Sequence, residues 1–527
     1  MMFGDVRWRK RTGLRSVAVL QPFLSSFPSR FLLLGWLAGG SLVVDAAAQV
    51  HYHADGRPWS QRAQRGPDAV VPGWFYNLGI TGLRVELVAD APTHLVVRYV
   101  FAGTPADGRV RVGDHIVGAG GARFETPHRN GYGQEVFGAH GPIAAFADAL
   151  ESCQARGQGK LALDLLRDEK EVGVTLSVGT RQGTFAPTFP ANCKKSARLR
   201  GDLLAWLLTQ QRDDGSFGNP VHDTFAPLAL LASDKQEHRA AVERNARWHA
   251  KTTAARDQSS LINWRYMAAA IVLSEWYLRT GEKWVLPELE EVRDFLYSSQ
   301  YLSLAQVNPK VKESHPGSFP KSEAEQHGGW GHNPGFEGYG PIAMLTGQGA
   351  LAFALMQRCG VEIDRVRHDA AYDFLARATG RNGYVWYEDQ VAGHDRWADM
   401  GRTGAAGIAN LMSPWPDGEY RARALRHAEM IGAHPESFPD THGSPVMGMG
   451  YAGMAAAATP ESWRRLMDSN RWWFTLAQCV DGTFYYQPNR DNAGYGDDAR
   501  LSASAVVAFL LSVPERSLVV TGRDASK

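Results

Sequence analysis

Cysteine is scarce in this chain. Cys153, Cys193, Cys359 and Cys479 are all it has in 527 residues. They form no CxxC pair and no Cys/His spacing of the zinc-binding kind, so no metal site is expected. Export would allow a Cys153–Cys193 disulfide, while four buried thiols is the other reading. An excess of one charge is also missing. Lys plus Arg number 56 and Asp plus Glu 55, for a formal charge of +1. A nucleic-acid protein would carry a basic excess, so nucleic acid is not an expected partner. Long apolar runs are missing too. The run 31–44 has about 14 residues against the roughly 20 needed to cross a bilayer, and no later stretch is longer and as apolar. No GxSxG occurs, which leaves a serine hydrolase of that type unsupported.

What is present is ordinary globular composition, 44% hydrophobic and 21% charged, over a length that suggests two to four domains. Sixteen Trp and 55 Gly point to a large core with many defined turns. The beginning reads as targeting. Arg7, Arg9, Lys10, Arg11 and Arg15 precede the apolar run, and Ala46-Ala47-Ala48 follows with small residues suited to cleavage. The expectation is a signal peptide over 1–48 and a bacterial protein exported to the periplasm or beyond, touching membrane only during export. An uncleaved anchor, or a start codon placed too early, is the alternative.

After a polar linker over 49–73, residues 74–180 carry strand signals. Leu95, Val96, Val97, Val100 and Phe101 form a β-prone run. Gly103-Thr104-Pro105-Ala106 makes a turn, and Val112-Gly113-Asp114-His115-Ile116 enters the next strand. Residues 143–154 have helical periodicity, and 161–166 with 172–178 read as a hairpin around Asp168-Glu169-Lys170. This order resembles a bacterial PDZ domain of the periplasmic-protease kind, with an insert at 123–141. The resemblance implies that backbone N–H groups of Leu78, Gly79 and Ile80 capture a peptide C-terminus, with the peptide added as a strand beside the domain. A groove that is blocked, or that docks on the rest of the chain, is the competing reading.

Beyond a second linker over 181–194, residues 195–515 lose the strand signals. Twelve helical stretches are expected: 197–211, 222–233, 236–250, 260–281, 287–300, 341–359, 363–379, 403–411, 418–431, 445–457, 460–479 and 501–512, with a tail over 516–527. A glycine turn recurs in Asp214-Gly215-Ser216-Phe217, Asn382-Gly383-Tyr384 and Asp481-Gly482-Thr483-Phe484. The intervals, about 168 and 99 residues, equal three and two repeats of roughly 50–56. All three turns follow odd-numbered helices. With Leu204, Trp206, Leu207 and Gln210 before the first, and Phe474, Leu476 and Gln478 before the last, the pattern resembles the (α/α)6 toroid of terpenoid cyclases and protein prenyltransferases. The bland role of the motif is structural, a sharp turn plugged by an aromatic. The pair of domains also resembles an uncharacterised family of exported bacterial proteins. The activities implied by the toroid resemblance lack their residues here: there is no Asp-x-Asp-Asp acid, and Cys359 and Cys479 have no zinc partners. No cofactor is expected. The fold class is therefore multidomain, a small β-rich domain plus an all-α toroid.

In such a toroid the even helices line the centre and their N-terminal loops gather at one end, where helix dipoles favour anions. Those loops hold the candidates. Gln326 to Gly340 includes Trp330, His332, Asn333, Glu337 and Tyr339. The others carry His222 and Asp223; Asp399 and Arg402; Asp440 and His442; and Tyr495, Asp497 and Asp498. Carboxylates, histidines and aromatics together suit a sugar site. Glu337, Asp399 and Asp497 are candidate acids, His332 a candidate base, and Arg402 a counter-ion for a uronate. The bland alternative is that Asp and Asn cap helices. The small residues opening the even helices line a cavity or allow tight packing. Two functions follow: an exported binding or scaffold protein that captures peptide C-termini and offers a cavity to a partner or glycan, or a glycoside hydrolase or polysaccharide lyase with its site at the toroid mouth.

Overall fold

The computed structural model describes residues 74–129, 138–233, 235–254, 261–314, 319–336, 340–416, 418–439, 441, 445–485 and 499–524. The expected signal segment 1–48 and linker 49–73 lie outside the described residues. Residues 74–177 form an antiparallel sheet in the order β1 (Trp74–Asn77), β2 (Leu83–Leu87), β3 (Leu95–Val100), β4 (His115–Ala119), β6 (Lys160–Arg167), β7 (Lys170–Ser177), with β5 (Ala122–Arg123) paired only to β4. The β6–β7 turn places Asp168 and Glu169 at φ of 49° and 62°, the left-handed pair that suits a two-residue hairpin. Helix α1 (Pro142–Ala155) lays Ile143, Phe146, Ala147 and Leu150 on the sheet's apolar face, against residues such as Val97, Ile116 and Leu163.

The helical body follows in chain order. First come α2 (Lys194–Gln210), α3 (His222–Leu231), α4 (Gln236–Ala254), α5 (Ile262–Thr280), α6 (Val285–Ser299), α7 (Pro309–Ser314) and α8 (Ala343–Arg358). Then come α9 (Arg365–Arg377), α10 (Gly401–Met412), α11 (Tyr420–Ala433), α12 (Pro445–Ala456), α13 (Pro460–Ser469), α14 (Arg471–Leu476) and α15 (Ala499–Ser512). Helices α3, α5, α8, α10, α12 and α15 pack each on the next, and α15 returns to α3. Outside this closed ring, α2, α4, α6, α9, α11 and α13 each pack on inner helices. Sheet domain plus (α/α)6 toroid is thus the observed architecture.

The ring is built by a recurring connection. Gly215, Gly328, Gly383 and Gly482 sit at φ of 94°, 92°, 88° and 90°, where a side chain would be strained. Two residues later, the backbone N–H of Phe217, Trp330, Val385 and Phe484 donates to an oxygen near the start of an inner helix. The acceptors are Asp223 Oδ1 (2.6 Å), Thr346 Oγ1 (3.2 Å), Thr403 Oγ1 (3.0 Å) and Ser504 Oγ (2.9 Å). The copy at Gly328 was not expected, because His327 stands where the other turns have Asp or Asn. The carbonyl of the turn glycine is bonded as well. Gln211 Nε2 donates to Gly215 O, Gln300 Nε2 to Gly328 O, and the His427 ring to Gly383 O. Gln211, not Gln210, therefore does the work of the glutamine in the first repeat; Gln210 bonds Thr209.

Three expectations need correction. The stretch 460–479 is two helices, broken at buried Asn470, whose amide donates to Leu466 O and Pro435 O. The linker 181–194 is part of the packed body, since Phe189 is buried against Phe474 with ring centroids 5.1 Å apart. The tail packs too: Leu518, Val519 and Val520 are buried, and Glu275 of α5 accepts the N–H groups of Val519 and Val520 at 3.1 and 2.7 Å.

The small residues of the inner helices serve close packing. A Cβ on Gly404 would lie 2.3 Å from Ala452 N, one on Gly347 2.7 Å from Ala405 Cβ, and one on Gly407 2.8 Å from Ala455 Cβ. Gly404→Ala should therefore cost about 1–3 kcal/mol by overpacking and lower the thermal midpoint; an unchanged midpoint would contradict the close α10–α12 approach. His427 gives a pH prediction. Burial outweighs its bond to Gly383 O and pushes its pKa down to about 4 from 6.5. The unfolded chain then binds the proton that the folded chain refuses, so this part of the stability is lost as pH falls from about 6.5 to about 4. A His427→Asn variant should lose less melting temperature across that window than the unmutated chain, and parallel curves would refute the assignment.

Candidate functional site

The starts of the inner helices are joined to one another. His222, the first residue of α3, meets Ser502 of α15 at 2.6 Å. At the start of α5 the Asn263 N–H donates to His332 O, and its side-chain amide donates to Gly331 O. Trp330 O in turn accepts from Ile342 N just before α8, and Ala343 N donates to Tyr387 O in the loop leading to α10. Gly401 of α10 lies beside Gly448 of α12 and Thr441. The described parts of the segments before the inner helices therefore lie at one end of the toroid, the end where inner-helix dipoles are positive.

At the start of α10, Arg402 is buried. Its Nη2 donates to Tyr384 OH at 2.7 Å and lies 3.4 Å from Asp399 Oδ2. Its guanidinium stands over the Tyr387 ring at 5.5 Å, a cation–π arrangement. Nε has no hydrogen-bond partner among the described residues. Burial by itself would lower the pKa of Arg402, but Asp399 and the two tyrosines outweigh it, so the cation is favoured further. Asp399 is 2% exposed and faces donors, Arg402 and the Gly401 N–H. It acts as an acceptor that orients Arg402. Apart from the Gly383-Tyr384 turn, nothing in the sequence points to Tyr384 and Tyr387 as partners of Arg402.

At the start of α3, Asp223 is bound by three donors: Phe217 N–H, Gly218 N–H (3.1 Å) and Asn245 Nδ2 (3.1 Å). Burial raises its pKa to about 6, against the pull of those bonds. The His222 ring lies between Phe217 O and Ser502 Oγ. Both residues are built into the connection between α2, α3 and α15. At the start of α5, Trp330 is fully buried, with its indole N–H donating to Leu296 O. Asn333 Oδ1 accepts from Ile262 N. His332 Nδ1 accepts from Trp264 Nε1 at 2.8 Å, which puts the proton of the neutral ring on Nε2, and burial lowers its pKa. The base expected at His332 would therefore have its Nδ1 already engaged by Trp264.

Glu337, Tyr339, Asp440, His442, Tyr495, Asp497 and Asp498 lie outside the described residues. In sequence they precede α8, α12 and α15. Among the described residues no His/Cys/Asp/Glu group suits a metal ion, and no helix is long and apolar enough to cross a membrane. The four cysteines are buried, and none forms a disulfide among the described residues.

Residues 202–522, more than half of the chain, match the family described as "Domain of unknown function (DUF6288)". The chain belongs to this family. No curated protein matches it. Among solved structures, the Lin0763 protein from Listeria innocua is similar at 11% identity and a TM-score of 0.43, covering 60% of this chain and 97% of its own. The GH76 α-mannanase BT2949 of Bacteroides thetaiotaomicron is similar at 10% identity and a TM-score of 0.44, with 62% and 97% covered. The GH76A α-1,6-mannanase from Salegentibacter sp. HEL1_6 is similar at 12% identity and a TM-score of 0.41, with 61% and 99% covered.

The loop expected to capture a peptide terminus is turned inward. β2 is paired on one edge with β1 and on the other with β3, so it keeps no edge for an added strand. Leu78, Gly79 and Ile80 are buried, and the Leu78 N–H already donates to Leu83 O. A Cβ on Gly79 would lie 2.6 Å from Thr475 O of α14. Tyr76 meets Trp472 edge-on, and Leu476 joins the core of the sheet domain. This loop seats the sheet on the toroid. Gly79→Val should therefore destabilise the seam by about 1–3 kcal/mol and speed proteolysis within 74–177. An unaltered cleavage rate would show that the loop is not held there.

Proposed function

We propose that the toroid is a carbohydrate-active domain, a glycoside hydrolase or polysaccharide lyase, with its site at the end where the inner helices begin. The observation that carries this reading is Arg402. A buried guanidinium at the start of α10, steered by Asp399 and backed by Tyr384 and Tyr387, has an Nε donor without a partner among the described residues. Guanidinium donors match a carboxylate in geometry and charge, and aromatic faces suit a sugar ring. An acidic polysaccharide is the substrate class that uses both.

The roles divide by chemistry. Arg402 binds the uronate carboxylate and lowers its negative charge, which helps removal of the neighbouring proton in a lyase. Asp399 positions Arg402. The acid and base that cleavage needs are sought in Glu337 and Asp497, which precede α8 and α15 in sequence.

Arg402→Gln should weaken binding of oligouronates, or lower kcat/KM on them, about tenfold or more, in line with roughly 1.5–3 kcal/mol for a hydrogen bond to a charged group. Neutral oligosaccharides should respond little. A titration of both variants and both ligand types decides the matter: equal oligouronate affinity in the folded Arg402→Gln variant removes the basis of the proposal.

A further inference from the structure

The segment before α10 is tied down along its backbone. Gly380 N donates to Tyr384 O at 2.8 Å, Val385 N to Thr403 Oγ1 at 3.0 Å, Trp386 N to Ala378 O at 2.9 Å, and Ala343 N to Tyr387 O at 2.9 Å. Thr379 and Val385 also form an antiparallel bridge. In an extended segment alternate side chains share a face. Tyr384 and Trp386 therefore stand together, with their rings edge-on at 5.3 Å.

Trp386 carries a donor with nothing to bond. Its Nε1 is buried and has no hydrogen-bond partner among the described residues, although the indole as a whole is only half-buried. Other indoles of the toroid are engaged: Trp264 donates to His332, Trp276 and Trp284 to Glu282, and Trp330 to Leu296 O. Trp473 Nε1 is also without a partner among the described residues, but its ring is fully enclosed and out of reach of a ligand. Tyr384 meets Arg402 as well, whose Nη2 donates to its hydroxyl at 2.7 Å and whose Nε lacks a partner in the same way. Two buried donors without acceptors thus belong to the neighbours of one tyrosine. A buried donor left unbonded destabilises the chain, and native structures keep few of them. A ligand that brings the missing acceptors accounts for both.

We propose that the Trp386 indole N–H is a second substrate-binding donor, bonding an oxygen of the same acidic sugar whose carboxylate Arg402 holds. This rests on the carbohydrate reading of the α10 site and adds a neutral donor to it. The backbone bonds of 384–387 fix the indole before the ligand arrives, so little freedom is lost on binding. An indole N–H donates only, so Trp386 selects an acceptor oxygen and takes no part in proton transfer.

Titration of the full chain with an oligouronate tests this, followed by calorimetry and by the indole N–H resonances of protein carrying isotope-labelled tryptophan. Trp386→Phe keeps an aromatic ring and removes the donor. It identifies the Trp386 resonance by its disappearance and should weaken binding about threefold to tenfold, the range for one neutral hydrogen bond. In the unmutated chain that resonance should move downfield at saturation, while that of Trp330, already bonded to Leu296 O, stays in place. Should Trp386→Phe fail to fold, Trp386→Tyr identifies the resonance and its shift alone decides. Unchanged affinity together with an unmoved resonance overturns the inference and leaves Arg402 standing. Weaker binding without the shift, or the shift without weaker binding, assigns Trp386 to packing beside the site and equally overturns it. An oligouronate that does not bind the unmutated chain at all removes the carbohydrate reading, and this inference with it.

Discussion

The structure depends on one repeated bond. An outer helix ends, a glycine turns the chain through the left-handed region, and the N–H two residues on is held by an oxygen near the start of the inner helix. The bond fixes where each inner helix begins relative to its outer partner. Repetition of that register sends the inner helices the same way, so their positive ends converge. A polar backbone group buried at the turn would otherwise cost on the order of 1–3 kcal/mol each. The site follows from this geometry, because Arg402 occupies the residue before Thr403, which is itself the acceptor in the fourth hairpin.

Buried ionisable groups are spent on joining parts of the chain. Glu275 accepts the backbone of the C-terminal segment, and its burial raises its pKa to about 7. Glu151 of α1 pairs with Lys195 of α2, accepts from Thr475 of α14, and also takes the Phe185 N–H. Sheet, connector and last hairpin thus meet at one carboxylate. Burial works against its ionised form, but Lys195 and the surrounding donors prevail, and its pKa is lowered. A sheet domain fastened in this way, with β2 paired on both edges, is a structural part of the toroid rather than a separate arm.

Much of this was legible in the residues. Twelve apolar periodicities marked the helices of the toroid, and three glycine turns with an aromatic one or two residues on marked the repeat, because both rest on local chemistry. What escaped depends on tertiary partners. The turn at Gly328 lacks the Asp or Asn of its relatives, yet its spacing from Gly383, about 55 residues, is one repeat. Gln210 and Gln211 are equivalent in sequence, and only the packing of α4 selects Gln211, through Ala241 O. The break at Asn470 needs Pro435 as partner. Leu78-Gly79-Ile80 carries the local pattern of a ligand loop, but the same backbone exposure lets it seat on α14. For the site, residue types at the inner-helix starts were informative. Their roles were not, because Asp399 and Asp223 are defined by the donors that face them.

Hydrogen exchange of the full chain with and without a saturating oligouronate tests the central claim most directly, that the gathered starts of the inner helices form a carbohydrate site. The account predicts slower exchange at the first turn of α10 and at the 383–387 loop. Protection confined to 78–87 of the sheet domain, or none anywhere, would contradict it.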